Sequence, residues 1–315
     1  MKLWAIALCL LVAYGSAHAQ TEIWQPEGGR TQIPLWPGTP PDAKPMPGPE
    51  NARSSTDAIG GKTAITVTNV SRPTMTLYAP KGKNTGVAVV VFPGGGFENL
   101  AITGEGTKVC DWLTSRGITC VLMKYRVPSE PYDWHCDCRP HNLELSMPSL
   151  QDAQRTLRLV RSRAAEWHID PHKVGVIGFS AGGFLVAEVS TTFKRRLYAP
   201  VDAADKESSR PDFAMAIYPG HLTADGVTFN RNVTVTHETP PTFLVQAEDD
   251  DVDGVKQALV YFNALKKADV PLEMHLYAKG GHGFGLRPTS NPISHWPALA
   301  ETWMSTIGMI PAASP

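Results

Sequence analysis

Charge of either sign is not in surplus: 29 Lys and Arg stand against 30 Asp and Glu in 315 residues. A protein that grips nucleic acid through its phosphates needs a basic excess, and no polybasic run occurs, so nucleic acid is excluded as a partner. Beyond the first residues there is no apolar run of membrane length, no glycine period and no sustained heptad. Those absences remove multispan, collagen-like and coiled-coil architectures. Charged residues are 19% and apolar residues 42% of the chain, too apolar for a disordered protein and sufficient for a large core. What remains is a soluble globular protein of one or two domains.

The first apolar run covers residues 3–14, after Lys2 and before Ala17-His18-Ala19. A positive start, a short apolar stretch and small residues at the cleavage positions read as a signal peptide over residues 1–19, cut after Ala19. The chain is therefore expected to be secreted or periplasmic, with no membrane attachment once the leader is gone. Cysteine is sparse, five in all. Cys9 leaves with the leader, and Cys110, Cys120, Cys136 and Cys138 stay in an oxidising compartment, where disulfides are expected with the pairing open. Cys120 lies in an apolar strand-like run and reads equally as a small buried residue. His135-Cys136-Asp137-Cys138 and His141 crowd soft ligands together, but their spacing matches no common zinc signature, so neither metal nor cofactor is expected.

Residues 20–60 form a Pro- and Gly-rich arm, with Pro34, Pro37, Pro40, Pro41, Pro45, Pro47 and Pro49 excluding a regular helix or a central strand. The catalytic domain is placed at residues 61–315. Alternation at residues 65–68 and 74–77 predicts two half-buried antiparallel strands. Continuous apolar runs follow at residues 87–92, 118–123, 174–179, 213–218 and 242–245, as a parallel sheet covered on both faces requires. Residues 272–277 alternate and suit an edge strand. Leu150, Ala153, Leu157, Val160, Ala164 and Trp167 make one helical stripe that starts at Ser149 and Asp152, with Arg155, Arg158 and Arg163 on a solvated face. Val255, Leu259, Phe262 and Leu265 make another. Strands alternating with helices imply one doubly wound α/β domain.

Three segments fall at the carboxyl ends of these strands, where such folds place their chemistry. Gly178-Phe179-Ser180-Ala181-Gly182-Gly183 sits between a strand and a helix. That is the setting in which G-x-S-x-G presents a strained nucleophile, so Ser180 is the candidate. Pro93-Gly94-Gly95-Gly96-Phe97 lacks the Gly-Lys-Ser/Thr ending of a phosphate loop. Its Gly95 and Gly96 amides, with that of Ala181, are candidate donors to an oxyanion. His282, in Gly280-Gly281-His282-Gly283-Phe284-Gly285 after the last strand, is the candidate base. His221 also ends a strand but precedes the carboxylates. The acid that orients His282 is sought among Glu248, Asp249, Asp250 and Asp251, most of which read as a solvated turn.

The order serine, acid, histidine is that of the α/β hydrolases. Over residues 33–310 the chain resembles that superfamily, and within it the bacterial acetylxylan-esterase and feruloyl-esterase-like, xylanase-associated carbohydrate esterases. Residues that carry the likeness include Ile33-Pro34-Leu35-Trp36-Pro37, Lys124-Tyr125-Arg126-Val127-Pro128, Leu150-Gln151-Asp152-Ala153-Gln154-Arg155 and the three segments above. The resemblance implies an α/β-hydrolase fold with a mostly parallel sheet of about eight strands and helices on both faces. It also implies Asp250 as the acid, with Asp249 second, matched on Val252 and Val255. The expected function is a serine esterase acting on short acyl esters of carbohydrates such as xylan. A general carboxylesterase or a peptidase on the same machinery is the alternative. Pro93 stands where many esterases of the superfamily have His, which argues against the hormone-sensitive-lipase branch. Residues 133–140 read as a local insertion.

Overall fold

The computed structural model describes residues 23–56, 63–128 and 145–311. The leader, the insertion, Cys136, Cys138 and the soft-ligand cluster at residues 135–141 lie outside them. The strands are β1 (Gln32–Pro34), β2 (Asn51–Thr56), β3 (Thr63–Thr68), β4 (Thr74–Tyr78), β5 (Ala88–Phe92), β6 (Asn99–Leu100), β7 (Thr119–Lys124), β8 (Val174–Phe179), β9 (Ala214–Ile217), β10 (Thr242–Ala247) and β11 (Leu272–Tyr277). The helices are α1 (Lys108–Ser115), α2 (Met147–Ser162), α3 (Ala181–Thr192), α4 (Gly254–Lys267) and α5 (Trp296–Thr306). An eight-stranded sheet runs β1-β4-β7-β5-β8-β9-β10-β11, antiparallel at β1–β4–β7 and parallel beyond. Every residue of β5, β7, β8, β9 and β10 is buried, which a sheet permits only when both faces are covered. This is the α/β-hydrolase architecture.

The two early strands do not pair with each other. β3 lies between β2 and β6 in a small separate sheet, whereas β4 enters the main sheet between β1 and β7. Alternation fixes which face a strand buries but says nothing of its neighbour. The Pro-rich arm is packed onto the domain rather than trailing from it. β1 takes the sheet edge, where proline is tolerated, and Trp36 is buried with its Nε1–H donating to Asp152 at 2.8 Å.

Helix α2 starts two residues earlier than the Ser149 signal, with Pro148 in its first turn. Asp152 is not part of a cap: it is buried and ion-paired with Arg126. Arg155 and Arg158 contradict the solvated-face reading, being 1% and 4% exposed. Arg155 pairs with Asp202 and Asp205, and Arg158 donates to the Glu207 carbonyl and the Ser209 hydroxyl. Paired this way, a guanidinium can be taken out of water. The α4 stripe is also rotated from the expected one: Ala258, Tyr261 and Leu265 are buried while Leu259 is exposed. β11 is the partly exposed edge that alternation predicts. Cys110 and Cys120 form a disulfide that ties α1 to β7. Among the described residues no helix is long and apolar enough to cross a membrane.

Candidate active site

The turn from β8 into α3 carries Ser180 at φ 52°, ψ −119°, a region that a residue with a β-carbon occupies only under strain. Glycines make the turn possible. A β-carbon at Gly178 would overlap the Gly182 carbonyl, and one at Gly182 would overlap the Phe92 carbonyl at the end of β5. Ser180 is thus lifted above the strand ends with its Oγ 3.0 Å from His282 Nε2. His282 Nδ1 lies 2.8 Å from Asp250 Oδ2. The structure therefore brings Ser180, His282 and Asp250 into one hydrogen-bonded line from the ends of β8, β11 and β10.

Asp250 is itself held on both oxygens. Oδ1 accepts the N–H groups of Val252 (2.9 Å) and Asp253 (3.1 Å), and Oδ2 also accepts Gln246 Nε2 at 3.0 Å. Burial works to raise its carboxyl, but the His282 bond and charge and the two backbone donors outweigh that and hold it below the usual carboxylate value. Burial likewise works to lower the His282 imidazole. The Asp250 bond and the charges of Asp253, Asp250 and Glu105 outweigh it, and the net shift is upward. Asp249 has a different place: its Oδ1 accepts Gly280 N and Gly281 N, both at 2.8 Å, so it fixes the backbone of the His282 loop. Asp251 is exposed.

The glycine loop after β5 lies directly against this turn. A β-carbon on Gly94 would sit 3.0 Å from Ser180 Cβ. Gly94 N donates to Glu105 Oε2 at 2.7 Å, and the Gly95 carbonyl accepts Glu98 N and Asn99 N. These bonds fix the path of the loop at Gly94 and Gly95, and its start at Phe92 and Pro93 lies against Gly182. Rings of Phe97 and Phe184 flank the buried His221, with centroids 5.8 and 5.6 Å from it.

Two residues join the site that sequence reasoning missed. Glu105, buried in the turn before α1, takes the Tyr218 hydroxyl at 2.8 Å, and Gly285 N donates to that same hydroxyl at 3.1 Å. Burial raises the Glu105 carboxyl, against the lowering effect of the Tyr218 bond. The Tyr218 ring stands 5.0 Å from that of His282 and 4.4 Å from that of Phe284. Glu105 thereby links the glycine loop to the His282 loop. Asp253, at the start of α4, accepts the Ser180 hydroxyl at 3.2 Å and lies 3.7 Å from His282 Nε2. No local motif announces either carboxylate. Gly220, which leaves room for the Asp253 side chain, is the one trace in the sequence.

The sequence model of the prolyl oligopeptidase family matches residues 108–306. An acetylxylan esterase of Xylanibacter ruminicola is 30% identical over 236 residues, 71% of this chain and 46% of that protein. Endo-1,4-beta-xylanase B of Butyrivibrio fibrisolvens is 27% identical over 218 residues, 62% of this chain and 32% of that protein. The chain thus spans less than half the length of these two relatives. The crystal structure of an acetyl ester-xyloside bifunctional hydrolase from Caldicellulosiruptor lactoaceticus is similar at TM-score 0.66 and 30% identity, covering 89% of this chain and 97% of that one. An esterase of Thermogutta terrifontis, 22% identical at TM-score 0.62 over 88% of this chain and 97% of its own, shares the fold.

Proposed function

Since the chain belongs to the prolyl oligopeptidase family of α/β hydrolases, we propose that it is a serine esterase that removes short acyl groups of the acetyl type from carbohydrates such as xylan. The observation that carries this reading is the line Ser180–His282–Asp250 on a strained strand-to-helix turn. His282 Nε2 takes the Ser180 proton as Oγ attacks the ester carbonyl. Asp250 holds the Nδ1 proton and stabilises the imidazolium. The Gly95, Gly96 and Ala181 amides receive the oxyanion, which collapses with transfer of the His282 proton to the departing sugar oxygen. Water then repeats the sequence on the acyl-enzyme and releases the acid. The carbohydrate is suggested by the acetylxylan esterase relative and the acetyl ester-xyloside hydrolase.

The test is acetate release from acetylated xylan together with p-nitrophenyl acetate turnover, for wild type and Ser180→Ala. Loss on the order of 10⁴-fold or more in the variant, with the fold retained, is the expected result. A tenth of wild-type activity remaining removes Ser180 as nucleophile. The family match also favours a second reading, peptide-bond cleavage, and a proline-containing peptide amide in the same assay decides between them. The signal-peptide reading adds that the mature protein begins after Ala19 outside the cytoplasm. N-terminal sequencing of the exported protein checks it.

A further inference from the structure

The Ser180 hydroxyl has one proton and two acceptors. His282 Nε2 is 3.0 Å away and Asp253 Oδ2 is 3.2 Å away. Transfer to His282 activates the nucleophile, whereas a bond to Asp253 ties the same proton up. An ionised carboxylate at that distance also opposes the negative charge that grows on the reacting oxygens during attack. Left as it stands, Asp253 is an impediment. It becomes useful if something else donates to it once substrate is bound.

Its placement is built rather than incidental. The side chain is 6% exposed, and among the described residues the Ser180 hydroxyl is its hydrogen-bond donor. Asp250, which orients His282 through one oxygen, accepts the Asp253 N–H through the other. At Gly220 a β-carbon would come within 2.6 Å of the Asp253 carboxyl carbon, so glycine there keeps space for the carboxylate. Asp253 also lines a cleft of about 300 Å³ with Thr223, Asp225, Asp250, Asp251, Lys256 and Gln257. It therefore touches the nucleophile and also borders a cleft lined by polar side chains. A carboxylate in that position is an acceptor without a proton of its own, suited to a hydroxyl donor.

We propose that Asp253 is a specificity residue: it accepts a hydrogen bond from a free hydroxyl next to the acylated position of a carbohydrate, and so selects partly acylated sugars over esters that lack a neighbouring hydroxyl. The inference rests on the esterase reading and adds the chemistry of the alcohol. When the sugar hydroxyl donates to Oδ2, the Ser180 proton is left to His282 alone. Part of the carboxylate's charge is then compensated as the oxyanion forms. The substrate switches the nucleophile on by supplying the missing donor.

The experiment compares kcat/KM for methyl 3-O-acetyl-β-xyloside, with free 2- and 4-hydroxyls, and for its 2,4-di-O-methyl ether. Wild type, Asp253→Ala and the isosteric Asp253→Asn are measured, with circular dichroism to check the fold. A hydrogen bond to a charged group predicts a wild-type preference for the free sugar of roughly ten- to a hundredfold. That preference collapses to within about threefold in Asp253→Ala and is intermediate in Asp253→Asn, which keeps an acceptor without charge. The inference is overturned if wild type treats the two esters alike, or if the substitutions lower both rates in parallel. A wild type inactive on both sugars and on p-nitrophenyl acetate overturns the esterase reading and this inference with it. An active wild type whose preference survives substitution overturns this inference alone.

Discussion

Replacing Asp250 by Asn changes one atom of the proposed triad and should be the most informative single substitution in the carboxylate run. Asp250 Oδ1 faces two backbone donors, Val252 N and Asp253 N, so an asparagine keeps its carbonyl oxygen there. Its amide NH₂ then occupies the Oδ2 position, 2.8 Å from His282 Nδ1 and 3.0 Å from Gln246 Nε2. A donor now points at Nδ1, which forces the ring proton onto Nε2, the nitrogen that must accept the Ser180 proton. The base is present, oriented and in the wrong tautomer. That fault costs on the order of 10⁴-fold in kcat, or about 5 kcal/mol of transition-state stabilisation. Asp249→Asn is different, because an amide oxygen can still accept Gly280 N and Gly281 N. Roughly tenfold or less is expected there. Asp251→Asn should be near neutral. The assay is kcat and KM on p-nitrophenyl acetate for the three variants, with near-ultraviolet circular dichroism to show that the aromatic core is intact. Asp250→Asn within tenfold of wild type, or Asp249→Asn as the more damaging change, refutes the reasoning.

The remaining predictions are three. His282 is faced by Asp250, Asp253, Glu105 and the Tyr218 ring, and its net shift is upward. Since the base must be neutral, kcat/KM should fall with decreasing pH through an inflection above the ordinary 6.5, and an inflection at or below that value counts against the geometry. Glu188, buried in α3, accepts from the Ser146 N–H and pairs with its hydroxyl, and burial, against those hydrogen bonds, pushes its carboxyl from 4.5 up to about 8. Between those values the unfolded chain has released a proton that the folded chain keeps. Wild type should therefore lose stability relative to Glu188→Gln as pH rises from 4.5 to 8, by on the order of a few kcal/mol, and no further above it; parallel urea midpoints across that range would sink the idea. Residues 219–241 cross from β9 to β10 through turns without a helix, and the buried rings of Phe97 and Phe184 pack on His221, next in the chain to Gly220, whose N–H donates to the Ser180 carbonyl. With little apolar surface to collect about 0.8 kcal/mol per methylene, acetyl esters should exceed octanoyl esters in kcat/KM, and rates rising with chain length would show a groove that this reading lacks.

What could be read from the sequence divides by how far along the chain each residue's partners lie. The turn at Ser180 was legible because its demands are local: a strand before, a helix after, and glycines two residues to either side. His282 was reachable as a strand-end residue in the right order, whereas the acid was reachable only as one of Glu248 to Asp251, with Asp250 singled out by the family resemblance; their contact spans 32 residues. Glu105 was not, since what makes it part of the site is Tyr218, 113 residues further on, and nothing in Gly104-Glu105-Gly106 marks that meeting. Arg155 and Arg158 failed for the same reason. A helical stripe assigns charge to the outside by default, and the groups that draw these arginines inward, Asp202, Asp205 and Ser209, come from a loop 47 to 51 residues later. Asp253 is the sharpest case. It follows, one residue beyond Val252, a run of carboxylates that reads mostly as a solvated turn, yet its own N–H bonds back to Asp250 and its side chain meets the Ser180 hydroxyl. A polar residue's role in this fold is thus decided by which loop faces it across the strand ends, and sequence reasoning recovers that role only where glycine or chain order leaves a mark. Gly220 left such a mark for Asp253; for Glu105 the chain left none.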